Sequence, residues 1–206
     1  MKVFLVSFFV LLFHCSYGQN YVPFNATRVE VDKRLMIGLG TWATTNFVAS
    51  GIGWSQAKSM ESLYFHQMNV MWNVVNIGLA IPGYLKANKA KTDLTYEETL
   101  REQKKTEKIF LINTCVDVAY ISSGWLLLNK SKELGPFEQR QSGYGKSLLL
   151  QGGFLFVFDL TAYLTHTTHA KQLVNSSMGY LGVSRTGIGL SWNIPPVTLN
   201  HKRRFL

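Results

Sequence analysis

Four apolar stretches of the chain each carry polar residues at helical spacing. The clearest starts at Phe65, where His66, Asn69, Asn73 and Asn76 recur every three or four residues and fall on one face of a helix. The apolar residues between them lie on the other faces. Unpaired amides are costly in hydrocarbon, so we expect each polar face to turn toward partner helices inside a bundle.

These stretches predict four helices that are long enough to cross a bilayer. They cover residues 35–54, 65–84, 109–128 and 147–166. A capping box at Thr95 and alternating charges over 97–108 predict a solvated lead-in to the third helix, which therefore projects beyond the bilayer. Alternating apolar residues over 188–194 predict strand structure. The expected fold class is all-α: an antiparallel four-helix membrane bundle with a short C-terminal strand or hairpin.

The beginning of the chain has the three parts of a secretory signal peptide. Lys2 precedes an apolar run over 3–13, and small residues end the segment at Gly18. The run is too short to span a membrane. We therefore predict a signal peptide over 1–18, a transmembrane domain over 19–172 and a tail with a short β segment over 173–206. Cleavage would remove Cys15 and leave Cys115 alone, so no intramolecular disulfide is expected.

The charge distribution favours a membrane over a nucleic acid as the acidic partner. The formal net charge is +9, yet charged residues make up only 16% of the chain and 35–54 contains none. The cations lie in connections and tails, without the aromatic-interleaved basic face of a nucleic-acid binder. The expected partners are the lipid bilayer and, as candidates, a second copy of the chain or another membrane protein.

An up-down bundle permits a calculation of depth. Side A is the membrane face holding the first and third connections, and side B is the opposite face. At ~1.5 Å per residue, Asn46 lies ~16 Å from side B, Asn76 and Asp117 ~12 Å, and Asp159 ~11 Å. Four polar residues from four helices are therefore predicted to share one layer, with His66, Asn69 and Gln151 nearer side A. The full candidate polar core comprises Trp42, Asn46, His66, Asn69, Asn73, Asn76, Asn113, Asp117, Tyr120, Gln151 and Asp159.

Two interpretations of this core remain open. In the first, the polar side chains hold the helices together, each hydrogen bond contributing on the order of 1 kcal/mol. In the second, Asp117 and Asp159 form a functional pair, because two carboxyls at one depth in a low dielectric share a proton or hold a cation. A proton relay, a small-solute pathway and a ligand pocket fit the second interpretation equally.

No metal or cofactor is expected. His66 begins its helix at side A, whereas Asp117 and Asp159 lie deeper, so the three do not converge on one metal ion. His66 and His166 are placed at opposite ends of their helices, which excludes haem ligation by this pair. The i, i+3 spacing of His166 and His169 is more typical of a solvated helix end than of a metal site.

The orientation signals conflict. A cleaved signal peptide places side B outside the cytoplasm. The positive-inside rule places it inside, since fifteen cations belong to side B and five to side A.

Several motifs resemble an uncharacterised family of small bacterial multi-pass membrane proteins. They are the segment 65–76 with its FHQMN start, Gly40-Thr41-Trp42-Ala43 with Asn46, Asp117-Val118-Ala119-Tyr120 with Gly124, and 150–154 through Asp159. The resemblance covers roughly 34–163. It implies an exported N-terminus, a helical membrane domain and a bacterial envelope setting, with no activity to carry over.

The favoured function is therefore a multi-pass envelope membrane protein whose polar core organises the bundle. The alternative is a small transporter or ligand-binding membrane protein that uses Asp117 and Asp159, with His66 guarding side A. An intramembrane enzyme ranks lowest, because no nucleophile–base pair or closed ligand set emerges.

Overall fold

The structure, a computed structural model, describes residues 20–131, 137–177, 179–184 and 187–192. Four helices form the fold: α1 (Val22–Ser55), α2 (Met60–Asn88), α3 (Tyr96–Lys130) and α4 (Glu138–Ser177). Two strands, β1 (Gly179–Ser184) and β2 (Gly187–Trp192), pair in antiparallel register with Leu181 opposite Leu190. The four helices confirm the predicted all-α class. The predicted signal peptide over 1–18 and the basic tail over 201–204 lie outside the described residues.

All four helices are longer than the predicted spans. The predicted first span began at Leu35, but α1 begins at Val22, with Pro23 in its first turn and the Asn20 side chain accepting the Val22 N–H at 3.0 Å. The segment from 22 to 34 is therefore helix. The capping box before α3 is confirmed, because Glu98 accepts the Thr95 N–H at 3.0 Å and Thr95 Oγ1 accepts the Glu98 N–H at 3.3 Å. At α4, the helix begins before the predicted residue 147 and continues past 166.

The bundle is organised around a parallel central pair, α2 and α4. Glu61 near the start of α2 contacts Ser142 near the start of α4, and further along Asn69 contacts Gln151. α1 packs mainly on α2, and α3 packs mainly on α4. The two hairpins α1–α2 and α3–α4 therefore meet through their second helices.

Glycines allow α3 and α4 to approach closely. A Cβ added at Gly145 would lie 2.9 Å from the Gly124 carbonyl oxygen, and a Cβ added at Gly124 would lie 2.9 Å from the Gly145 carbonyl oxygen. Both distances are shorter than real side chains tolerate, so the two backbones touch at this crossing. Small residues at a helix interface are typical of bundles held by close packing.

Burial in the described residues is inverted relative to a water-soluble domain. Eighteen polar or charged residues are buried against ten apolar ones, and 25 large hydrophobic side chains are exposed. On α2 the buried stripe contains Asn69, Asn73 and Asn76, whereas Met71 and Val74 between them are exposed. Soluble proteins bury their large apolar side chains and rarely bury amides in such numbers.

By length and composition, α3 and α4 are apolar enough to cross a membrane, a criterion that a core helix of a soluble protein also meets. The two predicted spans on α1 and α2 do not reach the same hydropathy. Polar residues lower the mean on both helices, including Thr41, Thr44 and Thr45 on α1 and the three stripe asparagines on α2.

Candidate functional site

An amide cluster, formed by Trp42, Asn69, Ser147 and Gln151, joins three helices. Gln151 Nε2 donates to Asn69 Oδ1 at 2.8 Å, and Ser147 Oγ donates to the same oxygen at 3.1 Å. Trp42 Nε1 donates to Gln151 Oε1 at 3.2 Å, while the Trp42 ring stacks on Phe154 with centroids 3.9 Å apart. The structure therefore brings together Asn69 and Gln151, which the depth calculation placed near one another, and adds Trp42 to them.

A carboxyl pair, Asp117 and Asp159, lies between α3 and α4. The two carboxyl groups are neighbours, and both residues are buried, at 3% and 5% exposure. Asn113 Nδ2 donates to Asp159 Oδ1 at 3.4 Å, and Asp117 Oδ2 is buried with no hydrogen-bond partner among the described residues. Two neighbouring carboxyl groups away from water repel one another when both are ionised.

On α1 and α2, the asparagines of the predicted polar core are not hydrogen-bonded to the carboxyl pair. Asn46 Nδ2 donates to the Trp42 carbonyl of its own helix at 3.0 Å, and Asn73 Nδ2 donates to the Asn69 carbonyl at 2.7 Å. Asn76 is buried, and its Nδ2 has no partner in the part of the chain that the structure describes. The shared depth of Asn46, Asn76, Asp117 and Asp159 stays a prediction.

The remaining predicted core residues are His66, Tyr120 and Asn113. His66 is half-buried against Gly53 and meets the Phe65 ring edge-on at 5.1 Å, and its Nδ1 is buried with no hydrogen-bond partner among the described residues. Tyr120 meets Trp72 edge-on at 4.7 Å. Asn113 is exposed although its amide reaches Asp159. Any role of His66 and Tyr120 in a site stays a prediction.

An end network, absent from the sequence prediction, lies where α1 and α3 begin and α4 ends. It comprises Asn25, Arg28, Asp32, Thr99, Gln103, Glu107, His166 and His169. Asn25 Nδ2 donates to Thr99 Oγ1 at 2.8 Å, which ties α1 to α3. Gln103 Nε2 donates to the His166 carbonyl at 2.8 Å and to Glu107 Oε1 at 3.0 Å.

The two histidines of the end network are buried, so their expected place at a solvated helix end is wrong. His166 is 0% exposed, and its Nε2 lies 3.1 Å from Asp32 Oδ1. His169 is 8% exposed, stacks on Phe24 at 4.0 Å and points Nε2 at the Phe24 carbonyl at 3.1 Å. Burial results because α1 extends to Val22 and covers the end of α4. The i, i+3, i+7 spacing of Asn25, Arg28 and Asp32 places these three residues on one face of α1, and this spacing could have indicated that α1 packs on the end of α4.

At the end of the bundle where α2 and α4 begin, an ionic contact joins these two helices. Lys146 Nζ pairs with Glu61 Oε1, and Ser142 Oγ donates to Glu61 Oε2 at 2.7 Å. The hydrogen bonds from Lys146 and Ser142 hold the pKa of Glu61 below its ordinary value.

A cavity of about 580 Å³ opens beside the end network. Arg28 and Asp32 of α1 line it, together with the end of α2, the α2–α3 connection and the first turns of α3.

Comparison with known proteins adds one finding. Residues 38–160 match DUF6992, a family of unknown function. The chain belongs to this family. No curated protein and no solved structure matches the chain.

The DUF6992 segment runs from the middle of α1 into α4 and contains all eleven predicted core residues. Arg28, Asp32 and His166 lie outside it. The amide cluster and the carboxyl pair are therefore parts of the DUF6992 segment, whereas the end network is completed by flanking residues. The bacterial envelope setting implied by the resemblance stays a prediction.

Proposed function

We propose that the chain is a multi-pass integral membrane protein whose buried polar core organises a four-helix bundle. The observation that carries the proposal is the inverted burial. Large apolar side chains such as Met71, Val74 and Leu79 are exposed along the same helix whose asparagines are buried. Apolar helix faces are stable against lipid tails, whereas in water large exposed apolar patches drive association between molecules.

In this proposal the amide cluster specifies how the helices pack. Lipid tails are as apolar as the helix surfaces, so apolar contact alone gives little preference for one arrangement. The bonds from Gln151 to Asn69 and from Trp42 to Gln151 fix α1, α2 and α4 in one rotation. Each contributes on the order of 1 kcal/mol, and rotating α4 by one residue would break both.

The route to the membrane belongs to the same proposal. Residues 1–18 act as a signal peptide for export, and the bundle resides in the bacterial cell envelope, in the inner membrane. The composition of the first 18 residues and the family resemblance support this location.

Cys115 provides the test. It is exposed on the protein surface of α3, so the protein itself does not shield it from a reagent. In a Cys15→Ser background, a charged maleimide applied to open membrane fragments should label Cys115 very slowly, because lipid covers this face. Dissolving the bilayer in detergent should restore fast labelling.

The matched control is Lys89→Cys in a Cys15→Ser/Cys115→Ser background, since Lys89 is exposed beyond the end of α2. Its cysteine should label rapidly with or without detergent. Equal labelling rates for Cys115 and for this control cysteine in detergent-free membrane fragments would contradict a membrane location. Release of the chain from the fragments by alkaline carbonate would also contradict it.

A second candidate function rests on the carboxyl pair. Two neighbouring buried carboxyls, one with an unpartnered oxygen, are suited to carry a proton or a cation between two states. Asp117→Asn retains hydrogen-bonding capacity and should leave the folded bundle intact. If the carboxyl pair carries a proton or a cation, Asp117→Asn should abolish proton- or cation-coupled uptake in vesicles. If the pair only holds the helices together, this uptake should not change.

A further inference from the structure

The cavity beside the end network has an uneven charge distribution. Its apolar lining includes Met36, Ile109 and Phe110, which lie at the side B ends of the predicted spans. Three carboxylates also line it, contributed by Asp32, Glu98 and Glu102. The cations outnumber them two to one, and they are Arg28, Lys86, Lys89, Lys91, Arg101 and Lys105.

Arg28 is the buried cation of this set. It is 5% exposed, and its Nη1 lies 3.6 Å from Asp32 Oδ2, a long ion pair. Its Nε has no hydrogen-bond partner among the described residues. Leaving a guanidinium N–H buried and unbonded is costly, which indicates that an acceptor is missing from this position.

Two of the three carboxylates already have close neighbours. Asp32 lies between Arg28 and His166, with Oδ2 3.6 Å from Arg28 Nη1 and Oδ1 3.1 Å from His166 Nε2. Glu98 accepts hydrogen bonds from the Thr95 N–H and hydroxyl, each at 3.0 Å. Neither accepts a hydrogen bond from Arg28 Nε. The unbonded N–H of Arg28 and the surplus of cations therefore favour an anion from outside the chain.

We propose that this cavity binds a phosphate-bearing anion, with Arg28 as its buried contact and the lysines of the α2–α3 connection around it. A guanidinium presents its N–H groups in a planar fork that matches phosphate oxygens, and lysines add charge without strict geometry. A volume of about 580 Å³ is in the range of small-molecule sites and exceeds the needs of one inorganic phosphate. The apolar lining at span depth suits the glycerol and upper acyl part of an anionic phospholipid.

The inference goes beyond the proposed function, because the amide cluster and the carboxyl pair take no part in it. The phosphate chemistry is shared by two sources, a lipid headgroup and a free anion. Only the lipid source depends on the chain residing in a membrane, so the labelling of Cys115 and the binding experiment below can fail independently.

The experiment measures the thermal unfolding midpoint of the purified full chain in a neutral detergent. Three additions are compared at equal ionic strength: inorganic phosphate, a short-chain phosphatidylglycerol and the matching phosphatidylcholine, with sodium chloride as reference. Bound ligand stabilises the folded state, and a concentration tenfold above the dissociation constant should raise the midpoint by about 3 to 6 °C. We expect this rise with phosphatidylglycerol and no rise with phosphatidylcholine.

The variant is Arg101→Gln/Lys105→Gln, which removes two exposed cations of the cavity and no buried contact. Its control is Lys108→Gln/Lys171→Gln, which removes two exposed cations outside the lining and causes the same change of net charge. The rise in unfolding midpoint should shrink in Arg101→Gln/Lys105→Gln and persist in the control. Arg28→Gln should abolish the rise. If Arg28→Gln does not fold, Arg101→Gln/Lys105→Gln still tests the proposal.

Each outcome decides the proposal. A rise with phosphatidylglycerol alone assigns the phosphate to a lipid, and a rise with inorganic phosphate assigns it to a free anion; both support the site if the cavity variant loses the effect. If neither inorganic phosphate nor phosphatidylglycerol raises the unfolding midpoint, the proposal is overturned. An equal loss in the cavity variant and the control variant also overturns it, because the effect would then reflect net charge.

Discussion

The crossing of α3 and α4 yields a prediction in which one chemical change has opposite effects at two positions of the same helix. Gly145→Ala places a methyl group 2.9 Å from the Gly124 carbonyl oxygen and 3.0 Å from Leu128 Cγ. Gly153→Ala places the same group where nothing lies within 4 Å. Both changes remove the conformational freedom of glycine in a helix, so they differ only in what the methyl group meets.

The magnitudes follow from these distances. Ordinary contact begins several tenths of an ångström farther out than 2.9 Å, and the partner at Gly145 is backbone, which cannot rotate away. Overpacking of this kind costs about 1–3 kcal/mol. Alanine is favoured over glycine within a helix by about 0.5–1 kcal/mol. We therefore expect Gly145→Ala to lower the free energy of unfolding by about 0.5–2 kcal/mol and Gly153→Ala to raise it by up to about 1 kcal/mol.

The assay is thermal unfolding of the purified chain in detergent, followed by circular dichroism. For a chain of this length each kcal/mol shifts the midpoint by about 2–4 °C, so the two variants should lie on opposite sides of the parent protein. Gly124→Ala tests the same crossing from α3 and should be less than additive with Gly145→Ala, because separating the helices once relieves both clashes. A stabilising effect of Gly145→Ala, or equal effects at the two positions, would refute the close crossing.

Three further predictions concern polar contacts. Gln151→Leu should lower the free energy of unfolding by about 1–3 kcal/mol in chemical denaturation, since it removes two hydrogen bonds and leaves Trp42 Nε1 without an acceptor. The depressed pKa of Glu61 means that its contact with Lys146 stabilises the fold above the unfolded-state value of 4.5 and is lost as the pH falls through the folded-state value. The difference in stability between the parent and Glu61→Gln, about half a kcal/mol at pH 7 for this partly exposed pair, should shrink as the pH is lowered below 4.5. Thr95→Ala should cost about 1 kcal/mol by removing the capping box of α3, measured by thermal unfolding beside an exposed Thr→Ala substitution elsewhere.

The polar stripe of α2 could be predicted from the sequence because its period is unambiguous. Asn69, Asn73 and Asn76 are all buried, as the helical spacing indicated. Their hydrogen-bond partners could not be predicted, since partners depend on how each neighbouring helix is rotated and shifted. A depth calculation predicts height within the bundle but not the direction of a side chain, so it gave no indication that Asn46 bonds to its own helix.

Rotation also decides the exposure of Asn113, which reaches the carboxyl pair through its amide. The buried positions of α3 run through Phe110, Thr114 and Asp117. Asn113 lies at the edge of this seam and is exposed.

The end network escaped prediction for a different reason. Arg28 and Asp32 precede the predicted first span, which begins at residue 35, because charges are costly in hydrocarbon. In the structure α1 continues back past this span, and Arg28 and His166 are buried beside the partly exposed Asp32. Hydropathy measures a single residue at a time and does not register such mutual neutralisation.

The parallel pairing of α2 with α4 has a consequence for biosynthesis. The groups that satisfy Asn69 and Glu61 are more than 75 residues downstream, on the last of the four described helices. During translation the Asn69 amide therefore has no partner on α4 until that helix has been synthesised. Nascent chains that stop before residue 138 lack these partners, so the contacts between α2 and α4 can form only after most of the chain has been made.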